Sequence, residues 1–354
     1  MMKSYNIAVL GGDGIGPEVT AEAVKVLQKT ASVFGLKFNF SYYDVGGCSV
    51  DRYGVPITDE AFLQVQSSDA VLLGAVGGTK WDKVEKAIRP EQALFRLRGG
   101  LGLYANLRPI ILFEELKDAC PIRPEIIGKG LDIMIVRELT GGVYFGKKWT
   151  KGDTANDLMS YSRHEIERII DIAIDIAGKR RKKITSVDKA NVLETSRLWR
   201  RIFEEKTSKL EDYSLNSLLV DNAAMQLIRN PAQFDVIVTE NLFVDILSDE
   251  ASMLTGSIGM LPSASLGKGN FGMYEPIHGS APDIAGKSIA NPIASILSAA
   301  MMLRHTFNLC QAADKIEYAV KAALSKGART LDIIKKGEKP LSTVEMGDEI
   351  VRLI

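Results

Sequence analysis

Apolar strand-like runs that alternate with helix-patterned segments predict an α/β protein with a largely parallel sheet. The runs are Tyr5–Leu10, Phe38–Tyr43, Ala70–Leu73, Leu131–Val136, Ile184–Val187, Leu218–Val220 and Val236–Thr239. A chain of 354 residues, 46% hydrophobic and 25% charged, has the composition of a soluble globular protein and the length of two domains or one large one. Neither an internal repeat nor a low-complexity linker interrupts the pattern.

At the N-terminus, MMKSYNIAVLGGDG reaches Gly and Asp before a signal-peptide core could form, so no secretory signal is expected. The first run leads into Gly11-Gly12-Asp13-Gly14-Ile15-Gly16-Pro17, a tight strand-to-helix turn with Pro17 at the start of a helix to about Ser32. This loop fits neither GxGxxG nor a Walker A motif, where lysine is needed at the position of Pro17. A second glycine motif, Ala281 to Ser288, passes a relaxed Walker pattern. The preceding Tyr274–Ser280 does not read as the buried strand that a P-loop requires, so nucleotide hydrolysis is the rival to be excluded.

The middle of the chain carries a helix with a capping box, Ser162 with Glu165, ended by Gly178. The basic run Lys179–Lys183 follows and reads as a solvated face beside the helix C-terminus. With 44 Lys+Arg against 44 Asp+Glu the chain has no net charge, which argues against nucleic acid as a partner. The odd set Cys48, Cys120 and Cys310 contains no CxxC, so neither a disulfide framework nor a zinc site is indicated. No apolar run reaches the ~18 residues of a membrane span. The richest, Ala290–Leu303, reads as a core or interface helix. A reducing cytoplasm is the expected location.

The stretch Phe234–Asp249 carries most of the chemistry. Val236–Thr239 reads as a buried strand, Asn241 takes the position of a helix N-cap, and Leu242, Phe243, Ile246 and Leu247 form an apolar helical face. Asp245 and Asp249 lie four residues apart, so their carboxylates share one face and repel. Taken alone, such a pair is most often a solvated acidic face. With Asp221 the set becomes three hard oxygen ligands of the kind that select Mg²⁺ or Mn²⁺. Lys189, Asp221 and Asp245 each follow a strand, where open α/β sheets bind ligands, and so could converge on one crevice. Arg98, Arg108 and Arg137 sit in LRGGLG, ANLRP and VRELTGG. Any one of them alone reads as a surface residue; together they suit a small polyanionic substrate. Tyr144, set between glycines, reads as either a core residue or a proton donor, and Lys189 is a candidate base.

These residues lie in long motifs that run the length of the chain: GGDGIGPEV (11–19), LLGAVGG (72–78), LYANLRP (103–109), VRELTGGVYFG (136–146), SVDKANVL (186–193), VDNAAMQL (220–227), TENLFVDILSDEASMLTGS (239–257) and EPIHGSAPDIAGKSIANP (275–292). On them the chain resembles the β-decarboxylating dehydrogenase family of isopropylmalate, isocitrate, homoisocitrate and tartrate dehydrogenases. The resemblance implies a two-domain fold that is not a standard Rossmann domain. Residues 1–103 and 256–354 would form a discontinuous first domain with the dinucleotide-binding loops, and 104–255 a second domain with the metal ligands and a homodimer interface. Asp221, Asp245 and Asp249 would hold Mg²⁺ or Mn²⁺, with Asp221 and Lys189 reaching into the neighbouring subunit's site. Arg98, Arg108 and Arg137 would bind the malate carboxylates, and Tyr144 and Lys189 would serve as acid and base. Gly74, Gly77, Gly78, His278, Gly279, Ser280, Ala281, Asp283, Ile284 and Asn291 would contact the dinucleotide. Asp283 favours NAD over NADP because its carboxylate bonds ribose hydroxyls and repels a 2′-phosphate. Leu94 and Phe95 fall at the variable side group of the substrate; their apolar atoms favour 3-isopropylmalate, an intermediate of leucine biosynthesis, over isocitrate, with homoisocitrate and tartrate as alternatives. Three departures from the family pattern stand out: Val244 for the glycine before Asp245, Thr79 for the proline of GGPKW, and Gly99-Gly100 for a Lys-Glu-like pair.

Overall fold

The computed structural model describes residues 3–128 and 130–354. The chain divides into two compact units, one of residues 1–103 with 256–354 and the other of 104–255. The first segment runs β1 (Ser4–Gly12), α1 (Gly16–Phe34), β2 (Lys37–Tyr42), α2 (Gly47–Tyr53), α3 (Asp59–Gln66), β3 (Ala70–Ala75) and α4 (Gln92–Gly100). The second unit follows with β4 (Ala105–Ile111), α5 (Pro124–Ile127), β5 (Asp132–Glu138) and the hairpin β6 (Lys148–Lys151) and β7 (Thr154–Asp157). It continues through α6 (Arg163–Gly178), β8 (Lys183–Asp188), α7 (Glu194–Thr207), β9 (Ser214–Leu219), α8 (Val220–Arg229), β10 (Val236–Thr239) and α9 (Asn241–Ser252). The chain then returns to the first unit as β11 (Pro262–Leu266), β12 (Gly272–Pro276), α10 (Ile293–His305), α11 (Cys310–Ser325) and α12 (Thr343–Leu353).

In the first unit the strand order is β2-β1-β3-β12-β11, parallel except for the last pair. The second unit has the order β4-β5-β10-β8-β9, parallel except for β4 against β5. The expected α/β class with a largely parallel sheet is therefore what forms. β3 and β10 are buried along their whole length, which is why they read as continuous apolar runs rather than alternating ones. The segment rich in alanine, serine and methionine, α10, is a core helix: every residue from Ile293 to Leu303 is buried.

Three expectations need correction. β12 is a fully buried strand that takes in Tyr274–Pro276, the start of the Tyr274–Ser280 stretch that did not read as one. The rival P-loop still fails, because residues 281–292 form turns and no helix begins before Ile293. The basic run at 179–183 is more than a solvated face. Arg180 pairs with the fully buried Asp235 at 2.8 Å and with Asp132 at 2.8 Å, and Arg181 donates to the Phe234 carbonyl, so the run pins α6 to the strand ends. Finally, Val220 belongs to helix α8 rather than to the strand before it.

The GGDGIGP loop turns as its sequence predicts, with Pro17 in the first turn of α1. Its close approaches explain its glycines. A Cβ on Gly12, whose φ is +73°, would lie 1.9 Å from the Ala75 carbonyl oxygen, and one on Gly14 equally close to that of Ser280. Gly74 is constrained in the same way, since a Cβ there would lie 2.3 Å from the Gly11 oxygen. Gly74→Ala is expected to destabilise the protein by about 1–3 kcal/mol through overpacking against backbone. Gly99→Ala, in α4 with nothing within 4 Å of a new Cβ, should stabilise it by roughly 0.5–1 kcal/mol. Urea midpoints of the two variants check both signs.

Candidate active site

The polar centre of the second unit is the half-buried carboxylate of Asp245, on the second turn of α9. Its Oδ1 accepts from Arg137 Nη1 at 2.7 Å and lies 3.8 Å from Arg108 Nη2; its Oδ2 accepts from the Tyr144 hydroxyl at 2.8 Å. Arg137 on β5 and Arg108 on β4 are both buried. The register of the antiparallel pair β4–β5 places Arg108 opposite Ile135 and Arg137 opposite Asn106, so the two arginines stand on adjacent strands two residues out of register, on one face of the sheet. Arg108 is held by Asn106, which accepts from its Nε at 2.7 Å, and by the Ser248 hydroxyl. Tyr144 closes a short turn, Gly142–Tyr144, reached through Gly142 with φ +72°.

Electrostatics follow from burial and pairing. The arginines hold the Asp245 carboxyl below the ordinary aspartate range against the opposing effect of desolvation. Burial, then the hydrogen bond to Asp245, pushes the Tyr144 phenol up to about 12, so it keeps its proton at neutral pH. Asp249, one turn along, stands at the surface, and its partial desolvation beside Asp245 raises its pKa. Its carboxylate receives no hydrogen bond among the described residues. The two carboxylates on one helix face thus form an oxygen donor set of the kind a hard divalent cation takes. Asp221 is not part of it, and no group of three acidic, histidine or cysteine side chains suited to a metal occurs among the described residues.

Asp221 instead pairs with Lys189, whose ammonium holds that carboxyl below its usual range. The parallel pairing of β8 with β9 brings Lys189 and Asp221 together, because each follows the end of its strand. Among the described residues no hydrogen bond or ion pair joins Asp245 to these two, although α8 and α9 pack together. β10 is hydrogen-bonded between β5 and β8, and α9 packs back over β4 and β5. Its carboxylates therefore face the arginines.

Two features of α9 differ from the sequence reading. Glu240, rather than Asn241, is the N-cap, and its side chain accepts from the Leu242 amide. Asn241 is the first helical residue, and its amide is engaged elsewhere. Ile246 is 59% exposed, while Phe243, Val244 and Leu247 form the buried face. The departure at Val244 is thus absorbed by core packing, away from the carboxylate of its neighbour.

The candidate dinucleotide residues all lie in the first unit. Asp13, from the GGDG loop, accepts from the amides of Gly47, Cys48 and Gly77 at 2.7–2.8 Å, and Ile15 donates to the Ser280 carbonyl. The first glycine motif therefore braces the two segments proposed to contact a cofactor. Gly77 and Gly78 have φ of +105° and +156°, which glycine alone adopts easily. Gly74 is buried in β3 and serves close strand packing. His278 is buried with its Nδ1 against the Gly279 oxygen and, among the described residues, no partner on Nε2, and burial lowers its pKa so that the ring is neutral at pH 7. Ala281 and Ile284 pack against Ile15, Val19 and Ala290, leaving Asp283 exposed between them. Asn291 donates to Asp332 and accepts from the Ile293 amide, which ties down the start of α10. Arg98 pairs with Glu275 at 3.0 Å, and Leu94 leans on the core cluster around Leu97 and Leu103. Thr79 is exposed at the start of a short turn.

Behind Asp245 lies a buried acidic layer that the sequence reading missed. Glu138 accepts from Arg168 and the Gly141 amide, Tyr161 donates to Glu240, and the Asn241 amide donates to Tyr161. Only the capping position of Glu240 in the sequence signals it.

Comparison with known proteins places this geometry. Residues 6–350 match the model of the family described as isocitrate/isopropylmalate dehydrogenase. The chain belongs to that family. It is 57% identical over 350 residues, 98% of each chain, to a 3-isopropylmalate dehydrogenase of Clostridium acetobutylicum, and 56% identical over 354 residues, again 98% of each, to one of Pseudomonas fluorescens. Among solved structures it is similar to isocitrate dehydrogenase from Methylococcus capsulatus, with TM-score 0.87 and 34% identity over 99% of both chains.

Burial raises the Glu240 carboxyl to about 7, from an ordinary value of 4.5. Between those values the folded protein holds a proton that the unfolded chain has released, so this group makes stability fall as pH rises through the window. Glu240→Gln, which keeps the capping oxygen, is expected to remove about 3 kcal/mol of that decline. Urea unfolding of both proteins at pH 5 and pH 8 gives the two slopes, and equal slopes would refute the assignment.

Proposed function

We propose that the protein oxidises and decarboxylates 3-isopropylmalate to 2-oxo-4-methylpentanoate and CO₂, a step of leucine biosynthesis, with NAD as oxidant and Mg²⁺ or Mn²⁺ bound. The observation that carries this reading is the convergence of Arg108, Arg137 and Tyr144 on Asp245, which joins carboxylate recognition, a proton donor and a cation ligand in one cluster.

Asp245 and Asp249 are the ligands this chain offers, and Asp221 of a second copy completes the set. When bound there, the cation lowers the pKa of a substrate hydroxyl and stabilises negative charge on the oxygen after CO₂ leaves. Gly77, Gly78 and the 278–291 segment would hold the dinucleotide, with Asp283 bonding its adenosine ribose, and the bound nicotinamide would supply the hydride acceptor. Gly74, Gly279, Ser280, Ala281 and Ile284 shape that segment. Arg108 and Arg137 bind substrate carboxylates through charge-assisted, forked hydrogen bonds. Arg98 and Leu94 keep the carboxylate and side-group roles that the family resemblance gives them. Lys189, beside Asp221, takes the hydroxyl proton. Tyr144 returns a proton to the carbon that loses CO₂; its high pKa keeps it charged with that proton beforehand.

The assembly we infer is a homodimer. α8 exposes Met225 and Ile228, α9 exposes Ile246, the turn after it exposes Met253, and the hairpin exposes Trp149. Asp221 shares α8 with the first two, so a second copy docked on this face would receive Lys189 and Asp221.

NADH formation from 3-isopropylmalate and NAD is expected with Mg²⁺, to be lost with EDTA and to return with excess Mg²⁺. Isocitrate should react more slowly, and a preference for it would refute the substrate assignment. Tyr144→Phe should lower kcat by about 10²-fold or more with little change in substrate KM, which steady-state kinetics resolves.

A further inference from the structure

Asn241 ties Arg137, one arm of the cluster around Asp245, to the segment that leads to Tyr144. It is buried at the start of α9. Its Oδ1 accepts from Arg137 Nε at 2.9 Å and from Nη2 at 2.7 Å. Its Nδ2 donates to the carbonyl oxygens of Leu139 at 3.0 Å and Gly141 at 3.1 Å. A side-chain amide has two acceptor sites and two donor hydrogens, so all four are in use. The amide cannot be turned over, since two carbonyls face one end and two guanidinium N–H groups the other. Arg137 is thereby fixed with Nη1 toward Asp245, and the segment leading to Tyr144 is fixed by the same side chain.

The chemical type of this partner matters as much as its position. A carboxylate would match the guanidinium fork and bind it more strongly. It would also set a full negative charge against a buried arginine whose positive charge is needed for substrate. The amide oxygen orients the guanidinium without cancelling it. We propose that Asn241 is a positioning residue for substrate affinity: it aims Arg137 and preserves its charge for a carboxylate of the hydroxy-diacid, without affecting dinucleotide binding. This rests on the reading of Arg137 as a substrate-binding residue.

The test is initial-rate kinetics of Asn241→Asp, Asn241→Ala and Arg137→Gln, with Mg²⁺, NAD and 3-isopropylmalate, each variant first checked by circular dichroism and thermal midpoint. N241D is expected to raise the KM for 3-isopropylmalate at least tenfold, and more than N241A does, with the KM for NAD within twofold of the parent. A merely structural role predicts that both KM values rise together and that N241A is the worse variant; that result would overturn the proposal. So would a substrate KM within twofold of the parent in N241A, the variant that decides the matter should N241D not fold. R137Q separates this inference from the reading beneath it. If R137Q leaves the substrate KM unchanged, the role of Arg137 falls and the proposal with it. If R137Q raises that KM and neither Asn241 variant does, only the positioning role falls.

Discussion

Two guanidinium groups buried beside one half-buried carboxylate are the constraint on which the second unit depends. A buried charge is tolerated only when paired and hydrogen-bonded. Arg137 and Arg108 meet that condition through Asp245, Asn241, Asn106 and Ser248. All four partners lie on β4 or α9, so the pairing of β4 with β5 and the placement of α9 are settled by the same contacts that build the site. The hydrophobic face of α9 supplies the burial; the polar face supplies the alignment.

The first unit solves a different problem with the same device. Asp13 is buried and accepts three backbone amides, and burial pushes its pKa up even against those bonds. It holds loops rather than ligands. The result is a candidate dinucleotide surface whose loops are tied together by the hydrogen bonds to Asp13 while its outward groups are open. His278 Nε2 lacks a partner among the described residues, and Asp283 is exposed.

Much of this was legible in the sequence because it rests on local signals. The apolar runs became β1, β3, β5, β8 and β10, and Pro17, Ser162 and Glu165 marked helix starts as capping chemistry requires. What the sequence hid depends on partners distant in the chain. β4 contains Pro109 and an arginine, and β12 is GMYEP; each is a strand only because a neighbour buries it. Asn241 looked like a cap because asparagine favours that position. Its side chain goes instead to Arg137, 104 positions away, and Glu240 caps the helix. The arginines were found as types suited to anions, but their arrangement on adjacent strands required the register of β4 on β5.

The placement of Lys189 and Asp221 bears on why such a protein would act as an assembly. Within one chain these residues neutralise each other at the surface, and Asp249 is left with a raised pKa and no donor. Both constrain an isolated subunit: the first, though favourable, occupies Lys189, and the second leaves a carboxylate without a partner among the described residues. The apolar side chains of α8 beside Asp221 add a third, since Met225 is 60% exposed. The dimer proposed above would relieve all three: a second copy would cover the apolar face, and a cation would draw Asp221 to Asp249 and Asp245, freeing Lys189 to accept a proton. Catalytic competence and burial of the exposed face would then come from the same association, so a monomer would lack the complete site even when correctly folded.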